Sequence, residues 1–219
     1  MLKLILVILL ITVGWAILYK YLNPPVTPLM IMRYFGDNAG IEKKWADYGS
    51  ISDNMKLAVI AAEDQKFAWH NGFDLESIQD AIVDKLEGKD LRGASTISQQ
   101  TAKNVFLWPG RSWIRKGAEA YYTFLIETLW GKKRILEVYL NVIETGDGVY
   151  GVEEAANIYF GKTAKNLTAE DSALIAAVLP NPALMSPAVP SKYVARRRVW
   201  ISRQMKNLGG QRYLRKIER

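Results

Sequence analysis

Apolar and polar positions along the 219-residue chain fall into two regimes. Over residues 2–19 only Lys3 and Thr12 interrupt an apolar run. At about 1.5 Å per residue, a helix from Leu2 to Leu22 just spans a hydrocarbon core of roughly 30 Å. Gly14-Trp15-Ala16 does not make the small-x-small pattern of a signal-peptide cleavage site. Trp15, Tyr19, Lys20 and Tyr21 are residue types that hold a span at the interface. Residues 1–22 therefore read as a retained transmembrane anchor. Asn23-Pro24-Pro25-Val26-Thr27-Pro28 cannot continue that helix, so 23–44 reads as a stiff spacer and lead-in to a folded domain at 45–219. In that domain apolar residues recur at three- and four-residue steps, which predicts helices over 52–62, 95–106, 112–130, 132–144, 152–160, 168–179 and 193–208. Stop and start signals agree: Thr168 with Asp171 three residues on, Gly131 after Trp130, and Pro180 after Leu179. Strand-like alternation is scarce, and the class is mainly α.

Composition narrows the chemistry. With 49% hydrophobic and 23% charged residues, the chain has room for one sizeable core plus an appendage. It has no cysteine and a single histidine, His70. Thiol catalysis, cysteine-ligated metals and multi-histidine centres are excluded, which leaves acid-base work to carboxylates. His70 reads as structural. The net charge is +7, and nine basic residues from Arg196 to Arg219 face one acid, Glu218. Such a segment suits anionic lipid headgroups, a phosphorylated substrate or nucleic acid. It equally makes a solvated helix face.

Three clusters could carry chemistry. In the first, the apolar run 57–62 ends in Glu63 and Asp64, which delivers a carboxylate to the junction of a buried helix and a loop. Partial desolvation there raises a carboxyl towards a working base. The same pair also makes an ordinary polar helix end. In the second, Gly93-Ala94-Ser95-Thr96 opens a helix on which Gln99, Gln100, Lys103 and Asn104 follow at helical spacing, a set suited to sugar hydroxyls or phosphate. Ser95 or Thr96 serves equally as an N-cap. In the third, Arg115 and Lys116 lie four and three residues before Glu119 and flank one carboxylate with two cations. A surface salt bridge has the same spacing.

Taken in order, these pieces resemble successive motifs of one family. They are Glu63-Asp64-x-x-Phe67-x-x-His70-x-Gly72-Phe73-Asp74, Gly93-x-Ser95-Thr96-Ile97-x-Gln99-Gln100-x-x-Lys103-Asn104, Arg115-Lys116-x-x-Glu119, and Lys133-x-Ile135-Leu136-Glu137-x-Tyr139-Leu140-Asn141. Tyr150-Gly151-Val152 and Tyr159-Phe160-Gly161-Lys162 follow. The order and content are similar to the family 51 glycosyltransferases, the peptidoglycan polymerases, over about residues 45–208. Leu179-Pro180-Asn181-Pro182, Arg197-Arg198 and Met205 extend the likeness. No S-x-x-K or K-T-G motif of an accompanying transpeptidase is present, so the chain resembles the family's single-activity branch.

The resemblance implies an α-helical, lysozyme-like glycosyltransferase domain that polymerises lipid II, inverting the MurNAc anomeric carbon and releasing undecaprenyl pyrophosphate. It implies Glu63 as the base and Glu119 as a donor-site carboxylate that organises Arg115 and Lys116 or a divalent cation. Ser95, Thr96, Gln99, Gln100, Lys103 and Asn104 would bind substrate. No cofactor is required, with Mg or Mn at Glu119 as an option. The implied partners are lipid II, the growing glycan strand, the membrane and other cell-wall synthesis and division proteins. The implied location is the inner membrane, single-pass, with the catalytic domain on the periplasmic side, where nucleic acid is not a partner. Two rivals stand beside this: a membrane-anchored lysozyme-like hydrolase using Glu63 as a general acid, and a non-catalytic membrane scaffold.

Overall fold

The computed structural model describes residues 2–36, 40–87, 95–110 and 112–218. Eleven helices and three short strands occupy these residues in the order α1 (Leu2–Tyr21), α2 (Pro28–Gly36), β1 (Glu42–Lys43), α3 (Asp53–Glu63), α4 (Leu75–Leu86), α5 (Ile97–Phe106), α6 (Trp113–Leu129), α7 (Lys132–Val142), β2 (Glu144–Gly146), β3 (Val149–Tyr150), α8 (Val152–Phe160), α9 (Ala169–Val178), α10 (Lys192–Asn207) and α11 (Gln211–Ile217). The fold is mainly α, and the seven helices expected from periodicity all form, with ends shifted by one or two residues.

Helix α3 is the centre of the core. Ser52 caps it by accepting from Met55 N at 3.1 Å, and every residue from Met55 to Ala61 is buried because α9, α10 and α11 all pack against it. The Thr168/Asp171 capping box opens α9. Beside α8 the strands form a small sheet of order β1-β3-β2, with β1 parallel and β2 antiparallel to β3. Gly151, at φ +83, lets the chain leave β3: a Cβ there would lie 2.9 Å from the carbonyl oxygen of Asn141.

Helix α1 is long and apolar enough to cross a membrane, but it is no free tether. Its last two turns lie on the domain, with Ala16 fully buried and Trp15 edge-on to Phe106 at 5.5 Å. Trp130 Nε1 donates to the Ala16 carbonyl at 2.7 Å. The Arg134 guanidinium donates to the carbonyls of Tyr19 and Leu22 at 3.0 and 2.8 Å, and so satisfies acceptors that a helix end leaves open.

Three helices and the short strands were not legible in the pattern. The expected spacer at 23–44 contains α2 and β1. Pro28 starts α2 because the first turn needs no amide donor from it, and Thr27 caps it by accepting from Met30 N at 3.3 Å. Helices α4 and α11 also form outside the expected set. The aromatic stretch between the second and third motifs divides: Phe106 and Leu107 enter the core, whereas Trp108 and Trp113 stay exposed. Gly93, Ala94 and Arg219 lie outside the described residues.

Candidate active site

The apolar face of α3 carries the chain through the core and ends at Glu63, the last helical residue. Asp64 then breaks the helix, and the two adjacent carboxylates meet different fates. Asp64 is buried. Its oxygens accept from His70 Nε2 at 2.9 and 3.0 Å and from Ile97 N at 2.9 Å, which ties the loop to the start of α5. His70 Nδ1 accepts from Gly72 N at 3.1 Å, so the proton sits on Nε2 and the imidazole serves the loop. Gly72 has φ +90, and a Cβ on it would lie 2.7 Å from Thr123 Cγ2.

Glu63 is half-buried and borders a cleft of about 360 Å³ with Lys66, Asp74, Ser77, Asp80 and Ser95. Burial pushes its carboxyl above the usual value, and the charge of Asp64 adds to the rise. A hydrogen bond from Gln100 and the charges of Arg197 and Lys103 oppose it. The Gln100 bond, Nε2 to Glu63 Oε2, is 2.9 Å. Tyr139 OH donates to Gln100 Oε1 at 3.0 Å, which fixes the orientation of the amide and turns its N–H towards Glu63. Tyr139 itself is buried. Arg197 Nη2 donates to the Ala62 carbonyl at 3.1 Å and its guanidinium stacks on Trp200 at 4.3 Å.

The other sequence candidates divide by position on α5. Thr96 and Gln99 form a reciprocal capping box, and the Thr96 hydroxyl donates to the Gly72 carbonyl at 2.6 Å. Their side chains build the helix start, while Ser95 stays exposed at the cleft. Gln100, Lys103 and Asn104, at i, i+3 and i+4, share the next face. They line a cleft of about 180 Å³ together with Leu29 and Tyr139. Lys103, Asn104 and Leu29 also line an adjoining cleft of about 300 Å³ that reaches Leu107, Trp108 and Arg115. A groove thus runs from Glu63 past Gln100 and Lys103 to Arg115.

At its far end Glu119 is buried on α6. It bonds Arg115 Nη1 through Oε2 at 3.0 Å and Lys116 Nζ through Oε1. Lys116 is 45% exposed and Arg115 12%, so the cations cover the carboxylate from solvent. Lys103 reads both ends of the groove. Desolvation lowers its pKa, the charge of Glu119 raises it, Arg115 and Lys116 lower it further, and Glu63 raises it. Both Glu119 oxygens are committed, and among the described residues no three His, Cys, Asp or Glu side chains gather as a metal site. A Mg or Mn ion beside Glu119 would share its oxygens with Arg115 and Lys116.

Sequence reasoning named Tyr139 and Arg197 only as motif letters. Their work depends on partners at residues 100 and 62, which local spacing cannot reveal. The fourth motif is otherwise scaffold: Asn141 accepts from Ala46 N and donates to Ala46 O, both at 2.8 Å, and Glu137 accepts from Tyr48 N at 2.8 Å. Ser98 of the second motif is fully buried; it donates to Glu127, which Lys132 also meets at 2.6 Å.

The transglycosylase family profile matches residues 30–206. The biosynthetic peptidoglycan transglycosylase of Stutzerimonas stutzeri is 49% identical over 99% of this chain and 91% of its own length. Those of Chromohalobacter salexigens and Caulobacter vibrioides are 53% and 54% identical, each over 83% of this chain and over 78% and 79% of their own lengths. The profile covers the groove from Glu63 to Glu119 and the helices that build it, and the chain belongs to the transglycosylase family.

Proposed function

We propose that this chain is a peptidoglycan glycosyltransferase that polymerises lipid II into glycan strands at the outer face of the cytoplasmic membrane. The observation that carries the reading is the division of labour along one groove: a carboxylate of raised basicity at one end, a cluster of cations around a buried carboxylate at the other, and Lys103 sensing both. Glycosyl transfer from a pyrophosphate donor needs both: a base for the acceptor hydroxyl and cations for the leaving group.

In this reading Glu63 accepts the proton of the acceptor's GlcNAc 4-hydroxyl as that oxygen bonds to the donor's MurNAc anomeric carbon. The bond from that carbon to the pyrophosphate oxygen breaks on the opposite face, so the centre inverts. Gln100, turned by Tyr139, holds the carboxylate in place and favours its ionised form against the push of burial. Arg115, Lys116 and Lys103 meet the negative charge that accumulates on the departing pyrophosphate. Glu119 holds Arg115 and Lys116 in position. The apolar end of the groove, at Leu29, Leu107 and Trp108, suits the first units of a polyprenyl chain. The span α1, clamped to α6 and α7, keeps the groove beside the lipid layer that carries the substrate. Single-pass insertion with the domain on the periplasmic side follows from where such a substrate is presented.

A lysozyme-like hydrolase would use Glu63 as an acid on finished glycan and has no use for Lys103, Arg115 and Lys116 around one carboxylate. Incubation of the purified full chain with labelled lipid II separates the readings. Polymer longer than the disaccharide is expected. Shortened glycan from added strands would establish the hydrolase, and neither product would establish a scaffold.

A further inference from the structure

Glu63 sits at a chain reversal, and the path of the backbone after it decides where its carboxylate points. The turn that follows closes on few bonds of its own: Phe67 N donates to the Asp64 carbonyl at 3.1 Å and Trp69 N to the Lys66 carbonyl at 2.8 Å. The carbonyl of Gln65 and the amide of Ala68 are satisfied by one side chain from the far end of the sequence. Tyr213 OH donates to Gln65 O at 3.0 Å and accepts from Ala68 N at 3.0 Å. One hydroxyl in both its roles thus staples the two ends of this turn.

The staple is itself held. The Tyr213 ring is 2% exposed and stands edge-on to Trp69 with centroids 4.8 Å apart, while Lys216 Nζ covers that indole at 4.4 Å. At the other end of α3, Gln211 Nε2 donates to Asp53 Oδ2 at 3.1 Å. Leu214 and Ile217 are buried in between. Helix α11 therefore touches the start of α3 and the turn beyond its end. Burial pushes the Tyr213 phenol well above its ordinary value, with the Ala68 amide opposing and the Asp64 charge adding to the rise, so it keeps the proton it donates. On the other side of Glu63, Arg197 of α10 holds the Ala62 carbonyl. The family match stops at residue 206, so α11 lies beyond the segment that defines the family.

We infer that Tyr213 is a positioning residue for the transglycosylase reaction: by stapling Gln65 to Ala68 it fixes the direction of the Glu63 carboxylate and its shielding from water. The inference rests on Glu63 acting as the base. It gives helix α11 of a cationic tail a role in the active site, where its composition suggested an anionic partner or a solvated face.

The test compares the full-length wild type, Tyr213→Phe, Gln211→Ala and Glu63→Gln in detergent with lipid II. Turnover, KM, the pH dependence of kcat and the thermal midpoint are read for each. Tyr213→Phe keeps the ring and its contact with Trp69, and loses only the hydroxyl. Its kcat is expected to fall about tenfold, the order that loss of well-made hydrogen bonds gives, with KM within about twofold. The acid limb of its profile should move to lower pH as water reaches a loosened Glu63. Gln211→Ala loosens α11 without touching the turn, and should lower the thermal midpoint while leaving the acid limb in place. An unchanged kcat and acid limb in Tyr213→Phe would overturn the inference. So would an equal kcat loss and shift in Gln211→Ala, because α11 would then be acting only through stability. If Glu63→Gln turns over like the wild type, it is the base assignment that fails. If that variant is dead while Tyr213→Phe is normal, only the positioning role fails.

Discussion

Two buried-end carboxylates sit in one groove under opposite conditions. Glu119 has a cation on each oxygen, whereas Glu63 has one neutral amide donor on one oxygen and is pushed upward in pKa by burial. The first is compensated and has nothing left to do but hold Arg115 and Lys116. The second is kept short of partners, and a proton is the partner that completes it. The chain could have satisfied Glu63, since it satisfies Asp64, the next residue, with two donors, His70 Nε2 and Ile97 N. Under-solvation at one position among well-paired neighbours is the mark that separates a working carboxylate from a structural one.

Removing the carboxylate at each end sharpens the contrast. Glu63→Gln keeps the shape and loses the base, so turnover should fall by about 10² to 10⁴. It should also stabilise the protein at neutral pH. A carboxyl whose folded pKa lies above its unfolded value, near 4.3 for glutamate, contributes stability that is present at low pH and lost as pH rises through the folded value. The variant escapes that loss. Its thermal midpoint should exceed the wild type's at pH 7, and the gap should close below about pH 4. A lower midpoint at pH 7 would mean Glu63 is a satisfied structural group after all. At the other end, Lys116→Ala removes a cation that is 45% exposed, so its stability cost should stay below about 1 kcal/mol. Turnover should still fall about 100-fold if that ammonium meets leaving-group charge. Normal turnover with lipid II would return the cluster to a helix salt bridge.

The support of Glu63 should be worth less than Glu63 itself. Tyr139→Phe frees the Gln100 amide to rotate and should lower kcat about tenfold, the order of one well-oriented hydrogen bond. Retained activity in Tyr139→Phe alongside loss in Gln100→Ala would show that Gln100 needs no orienting partner.

The parts legible in the sequence were those whose cause is local. Helical periodicity marked α3, α5, α6, α7, α8, α9 and α10, and the Thr168/Asp171 cap marked the start of α9. Helix α2 escaped because Asn23 to Pro28 reads as helix-breaking, although a proline is at ease in a first turn. Helix α11 is seven residues long and draws its stability from burying Tyr213, Leu214 and Ile217 against distant elements. The site divided in the same way. Arg115, Lys116 and Glu119 are neighbours on one helix, and their pairing follows from spacing. That Thr96 caps a helix is a local reading, and Gln99 three residues on completes the box; that the Thr96 hydroxyl also reaches the Gly72 carbonyl, and that Asp64 holds the Ile97 amide, no local pattern contains. The aromatic stretch is a mixed case: Trp108, beside Pro109-Gly110, is exposed, whereas Phe106 stacks on Tyr122 at 4.4 Å and belongs to the core.

The smallest expected effect concerns the outer face of α6, on which the exposed apolar residues are Trp113, Ile114 and Phe124. Trp113 and Phe124 are eleven positions apart, close to three turns of about 3.6 residues, so they share one stripe. The same helix meets the span, where Thr12 Oγ1 and Tyr121 OH share a hydrogen bond of 2.9 Å. A stripe of indole and phenyl rings on the helix that packs against the span is placed to rest at the headgroup level. With α1 holding the protein in the bilayer, as proposed above, the stripe has only the domain's tilt left to set. Trp113→Ser with Phe124→Ser should therefore leave turnover in detergent unchanged and lower it only a few-fold in anionic proteoliposomes. Quenching by brominated lipid should be weaker in Trp113→Phe than in the wild type, since that indole would be the one in contact with acyl chains. Equal quenching in the two proteins, with equal turnover of the double variant in both media, would place the stripe in water and leave α1 as the whole of the membrane contact.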